Sequence, residues 1–169
     1  MSKFMSIDPA TGKMGIAIWE NNELIDTFIV QKYGTKGKYK IINDNKKEIY
    51  NNYYEVIHTL IYFTGIEYVF AERGFGARAN VVNAQAHIRG YINAICDVNN
   101  VVYTEVKLSS WRRGIKDLYK TSWPRTSLEQ KALACKLVKE KFNIDVSEDE
   151  ADAILIGQYA ILSRLVPQA

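Results

Sequence analysis

The chain has 169 residues, close to half of them apolar, with no Pro- or Gly-rich divider, a frame that fits one compact domain with a real core. Its formal net charge is +3, and two cysteines with two histidines argue against a disulfide framework or a His-rich zinc site; Cys96 and Cys135 read as buried free thiols. No long apolar signal region opens the chain and no apolar run approaches the roughly 20 residues of a membrane span, so a cytoplasmic protein without membrane contact is expected.

Lys3 to Ile7 predicts a short strand that delivers Asp8 at its end, ahead of the breakers Pro9 and Gly12. Met14 to Glu20 and Glu23 to Val30 flank the turn Asn21-Asn22, so residues 3 to 31 read as three sequential antiparallel strands. The stretch from Lys32 to Lys47 reads as a Lys/Gly/Asn-rich connection. Ile49, Tyr53, Val56, Ile57, Leu60 and Ile61 then repeat at helical spacing until Gly65. Ile66 to Ala71 is apolar enough for a central strand and ends in Glu72, followed by Arg73-Gly74-Phe75-Gly76. A helix is predicted from about Arg78 to Asp97 and a strand from Val101 to Val106. Lys107 to Arg125 reads as a basic, aromatic linker. Two helices close the chain, Thr126 to Phe142 and Glu148 to about Leu165, with Ser147 as cap of the second.

Charge is segregated along this order. Residues 32 to 50 carry six lysines against Asp44 and Glu48, and residues 101 to 141 carry ten basic side chains against four acids, while the rest is acidic. Positive flanks around an acidic centre suit a polyanion held against metal-binding carboxylates; for any one block the alternative is a solvated Lys-rich face.

The acids themselves fall in telling places. Asp8 and Glu72 end two strands, and sites in α/β sheets form at the carboxyl ends of strands. Asp149 and Asp152, three apart on a helix, project from one face. Ser147 and Glu150 together read as a capping box, and acids in a first turn favour the positive end of the helix dipole. That reading covers Glu148, Asp149 and Glu150 better than Asp152, which lies deeper among Ala151, Ala153 and Ile154. Four carboxylates are a ligand set for two Mg²⁺ or Mn²⁺ ions roughly 4 Å apart. No rival nucleophile is visible, since no hydroxyl residue has a His–acid arrangement nearby in sequence.

Taken together, Ile7-Asp8-Pro9, Ala71-Glu72-Arg73-Gly74-Phe75 and Asp149-Glu150-Ala151-Asp152-Ala153 make the chain resemble RuvC-type Holliday-junction resolvases, including phage-encoded ones, of the ribonuclease H-like superfamily. The resemblance covers nearly the whole chain, and its acidic helix is the most specific motif. It implies an α/β fold with a mixed five-stranded sheet, three antiparallel strands then two parallel ones, flanked by helices. It also implies a homodimer that cuts two strands of branched DNA symmetrically. Residue by residue, Asp8 would bridge two Mg²⁺ ions, Glu72 would ligate one, and Asp149 and Asp152 would complete the set. Phe75 resembles the aromatic that stacks on a base, a contact worth about 1 to 3 kcal/mol. Arg78, Lys107, Arg112 and Arg113 would face DNA, the last three its phosphates. The family's second lysine aligns at or beside Gln130, so Lys131 either takes that role one position over, turned by about 100° on a helix, or the role is lost. Ala10 stands where the family usually has Gly, and the Lys32 to Lys47 connection is longer, so substrate choice is open.

Two other classes compete. One is a non-catalytic protein that binds branched DNA, with structural acids. The other is an actin-like kinase, because Asp8-Pro9-Ala10-Thr11-Gly12 before a hairpin also resembles a phosphate loop; such proteins need two lobes, and nothing after Val101 repeats the first hairpin.

Overall fold

The computed structural model describes residues 2–10, 12–33, 38–43, 46–50, 52–74 and 79–167. Twelve elements follow in chain order: β1 (Lys3–Asp8), β2 (Lys13–Glu20), β3 (Glu23–Tyr33), β4 (Lys38–Asn43), β5 (Lys46–Tyr50), α1 (Tyr53–Thr64), β6 (Tyr68–Arg73), α2 (Ala79–Val98), β7 (Val102–Lys107), α3 (Leu108–Tyr119), α4 (Ser127–Phe142) and α5 (Glu148–Leu162). The strands form one sheet in the order β5-β4-β3-β2-β1-β6-β7. β1 to β5 pair antiparallel, each with the next, while β6 lies parallel to β1 and β7 parallel to β6. The α/β fold and the expected five strands are all present. Two further strands, β4 and β5, extend the sheet at the β3 edge.

Strand β1 is central because it has no polar face: Phe4, Met5, Ser6 and Ile7 are all fully buried. Side chains alternate across a strand, so Met5 and Ile7 pack on one side against α1 and α2, and Phe4 on the other among α3, α4 and α5. The β2–β3 hairpin turns through Asn21 and Asn22, both in the left-handed region that a tight two-residue hairpin turn requires. Cys96 is buried in the first core, and Cys135 is half-buried in the second; both are free thiols. No helix among the described residues is long and apolar enough to cross a membrane.

Helix α5 is the most enclosed helix in the second layer, with Ala151, Ala153, Ile154, Leu155, Ile156 and Ala160 fully buried. It reaches the sheet at two glycines. A Cβ on Gly15 of β2 would stand 1.8 Å from the Asp149 carbonyl oxygen, and one on Gly157 of α5 would stand 2.2 Å from Trp19 Nε1. Between these points the buried Ser6 hydroxyl donates to the Ala153 carbonyl at 2.7 Å and accepts from Trp19 Nε1 at 3.0 Å. The polar group at the centre of the sheet is thereby satisfied, as burial demands.

Four expectations need correction. The Lys32 to Lys47 connection contains β4 and the start of β5: Tyr39 and Ile41 alternate into the first core while lysines take the other positions, a period-two pattern that the charge disguises. Ile49 belongs to β5, and α1 begins at Tyr53 because Asn52 caps it, its side chain accepting from the Glu55 N–H at 3.0 Å. Finally, Lys107 to Arg125 is not merely a linker, since it holds α3, whose Trp111 and Ile115 are buried four residues apart. The last helix ends at Leu162 rather than near Leu165.

Gly15→Ala should destabilise the protein by about 1 to 3 kcal/mol through overpacking against backbone that cannot turn aside. Denaturant unfolding checks this; an unchanged midpoint would show that α5 can shift freely.

Candidate active site

Three elements bring the acids together. Asp8 ends β1 opposite Gly15, and β6 runs beside β1 with Ala71 level with Ile7, which sets Glu72 at the same sheet end. α5 then lays its first turns across that end. Its start is held by a complete capping box: the Ser147 side chain accepts from the Glu150 N–H, and the Glu150 carboxylate accepts from the Ser147 N–H at 3.0 Å. Thr27 on β3 adds a 2.9 Å hydrogen bond to the other Glu150 oxygen. Asp149 and Asp152 are thereby fixed over the strand ends.

The electrostatics show four charges crowded into one place. Burial, then the charges of Glu72, Asp152 and Asp149, push the Asp8 carboxyl well above the usual range. Asp152 is pushed up to about 7, first by burial and next by Glu72. Burial also raises Glu72, against the Trp111 hydrogen bond and the positive charges of Arg112 and Arg89.

Cations only partly offset this. Lys13 Nζ lies 3.0 Å from Asp149 Oδ2, and Lys131 pairs with Glu148 at 2.7 Å while lowering both Asp8 and Asp152 through its charge. The fully buried Trp111 donates its indole N–H to Glu72 Oε2 at 2.8 Å. Arg112, next to it, places its guanidinium 5.4 and 5.5 Å from the ring centroids of Trp111 and Trp123, which pack edge to face, and donates to Gln130 Oε1 at 2.8 Å. Gln130 in turn donates to the Pro124 carbonyl.

Among the described residues, no three His, Cys, Asp or Glu side chains form a ready cage for one ion as they lie. The donor set nonetheless suits a hard cation: four carboxylates, oxygen donors only, each of the three most buried ones disfavoured in its charged form.

The basic residues expected at DNA divide three ways. Lys107 closes β7 and, with Arg73, Leu108, Ser109 and Arg112, lines a cavity of about 490 Å³ at the carboxyl end of the sheet. Arg113 is exposed, whereas Arg112 turns inward to the tryptophans. Lys131 stands beside the acidic helix, and Gln130 serves Arg112. Phe75 and Arg78 lie outside the described residues. Arg73 reaches across to Glu105 at 3.7 Å. Sequence reasoning missed Lys13 and Trp111. The hairpin register could have flagged Lys13, which begins the strand paired with the one ending at Asp8; for Trp111 the only signal was a large apolar residue with one polar handle inside a basic stretch.

No family model matches this sequence, and none of the curated proteins does. Solved structures match over nearly all of it. Thermus thermophilus RuvC in complex with a Holliday junction substrate is similar with a TM-score of 0.66 at 11% identity, over 98% of this chain and 96% of that one. The fowlpox virus Holliday junction resolvase is similar with a TM-score of 0.55 at 12% identity, covering 97% and 99%. The yeast mitochondrial Holliday junction resolvase follows with 0.51 at 10% identity, covering 94% and 78%. This chain therefore has the RuvC-type resolvase fold.

The raised Asp152 gives the site a signed pH dependence. Its ordinary value is 3.8 and its folded value about 7, so between those pH values the folded state holds the extra proton and stability falls as pH rises. The melting temperature in EDTA should drop by several degrees from pH 5 to pH 8, and Asp152→Asn should flatten the slope. A melting temperature that instead rises over this interval would refute the crowding.

Proposed function

We propose that this protein is a metal-dependent, structure-selective endonuclease that resolves Holliday junctions or related branched DNA by hydrolysing phosphodiester bonds. The observation that carries this reading is the undercompensated cluster of Asp8, Glu72, Asp149 and Asp152 at one end of a sheet whose fold is shared with resolvases. A solely structural role would leave such a cluster unexplained, because burying like charges together costs stability.

In this reading Asp8, Glu72, Asp149 and Asp152 hold two Mg²⁺ ions, with Mn²⁺ as a substitute. When bound, such ions supply Lewis-acid chemistry, activating the attacking water and stabilising the departing 3′ oxygen. The chain's own residues prepare the place. Trp111 fixes one Glu72 oxygen and so sets the direction of the other. Lys13 holds the Asp149 carboxylate in place through a 3.0 Å ion pair, and Lys131 does the same for Glu148 at the start of the same helix. Lys107 and Arg113 supply positive charge for DNA phosphates, Arg112 offers its charge to Glu72 and Asp152 from within the protein, and Phe75 and Arg78 are assigned to the junction itself.

One chain carries one such cluster, so cutting two strands symmetrically calls for a homodimer. Exposed Tyr62, Phe63, Tyr91 and Val98 on α1 and α2 leave apolar surface available for that association.

Asp8→Asn should abolish Mg²⁺-dependent cleavage of a four-way junction while preserving its binding, because one negative charge is removed from a site facing a polyanion. Gel-shift and nicking assays on junction, flapped and linear DNA test both halves; persistent nicking by the variant would sink the assignment, and tight binding with no cleavage by the unaltered protein would favour a non-catalytic junction binder. Trp111→Phe should weaken Mn²⁺ binding about tenfold, read by titration of the free ion's paramagnetic resonance, as loss of a group orienting a ligand does.

A further inference from the structure

A stripe of lysines leaves the carboxylate cluster and runs across the added edge of the sheet. Strand register defines it. Asp8 stands opposite Gly15, Lys13 opposite Gln31, Gln31 opposite Lys40, and Tyr33 opposite Lys38, so all these positions share the end of the sheet where the acids lie. The face is settled as well. Tyr39 and Ile41 of β4 pack into the core under α1, whereas Ile42 shares a cavity with Ser147 and Glu150 at the start of α5. Alternation then puts Lys38 and Lys40 on the α5 face, the face from which Lys13 reaches Asp149. Adjacent strands lie about 4.8 Å apart, so the backbone at Lys40 is about 10 Å from that at Lys13. Lys38 is exposed and Lys40 half-buried.

We propose that Lys38 and Lys40 on β4 extend the nucleic-acid surface outward from the acids and hold the phosphate backbone of a duplex DNA arm beyond the point of cleavage. This rests on the endonuclease reading for its orientation, though not for its charge. Each DNA strand carries a phosphate about every 3.4 Å of helix axis, so a span of about 10 Å along the axis covers some three phosphates on one strand. The segment from 32 to 50 carries six lysines against two acids, a density that suits a polyanion better than a mixed-charge protein surface. A plainer role exists for such lysines, which guard sheet edges against pairing with other chains. The two roles differ in what salt does.

The test compares Asp8→Asn with Asp8→Asn/Lys38→Gln/Lys40→Gln, measuring affinity for a four-way junction from 50 to 200 mM salt without divalent ions. Each lost phosphate contact should reduce the slope of log affinity against log salt by about 0.9, so the triple variant should be shallower by about 2, and Lys38→Arg/Lys40→Arg should restore it. Equal slopes overturn the proposal, most decisively if the glutamine variant also self-associates, which is the mark of edge protection. Failure of Asp8→Asn to bind DNA at 50 mM salt overturns it too. Should the unaltered protein bind DNA without cutting it, the endonuclease reading falls while a slope difference still supports this surface.

Discussion

The whole arrangement depends on how closely α5 lies on the sheet. Two missing side chains permit it: a Cβ at Gly15 would collide with the backbone of Asp149, and one at Gly157 with the indole of Trp19. The Ser6 hydroxyl, bonded to the Ala153 carbonyl, ties the helix to the central strand at the same level. The capping box then fixes the first turn, where Asp149 lies, with Asp152 one turn further on. Without that contact two carboxylates would hang in solvent beyond the other two. With it, Asp152 joins Asp8 and Glu72 in a buried corner and Asp149 stands at its rim.

That corner is electrostatically unfavourable by construction. Burial raises Asp8, Glu72 and Asp152, and mutual repulsion raises Asp8 and Asp152 further. The surrounding cations are placed to moderate the cost rather than cancel it. Lys13 meets Asp149 directly, Lys131 acts through Glu148, and Arg112 is held by two tryptophan rings and Gln130. The Gln130 amide oxygen anchors Arg112 rather than meeting the acids itself. The site gives up stability to keep a charge pattern, a trade found where function demands it.

Around the acids, the sheet end distributes charge in space much as the sequence distributes it along the chain. Arg73 and Lys107 close β6 and β7 on one side, and Lys13, Lys38 and Lys40 lie on the other. Blocks that are distant in sequence become neighbours because β1 stands between β2, the next strand in the chain, and β6, which is followed in the sheet by β7.

The sequence by itself determined the order of the five expected strands and of helices α1, α2, α4 and α5, and the positions of acids at two strand ends and one helix start. Those features are local: apolar periodicity, turn residues and breakers act within a few positions, and Asp8 and Glu72 announce themselves as acids after apolar strands. It also determined the Ser147–Glu150 cap, which needs only a spacing of three. What the tertiary structure decided was everything that depends on which residues meet. β4 and β5 were hidden because their lysines mask alternation that matters only once β3 offers an edge. α3 was hidden because Trp111 and Ile115 are buried in the core that α5 shares with the sheet, within a stretch whose other residues are mostly basic or polar. Lys13 at Asp149 and Trp111 at Glu72 are consequences of packing across 136 and 39 positions of chain. No window of sequence contains such pairs, and only the fold gives them a distance.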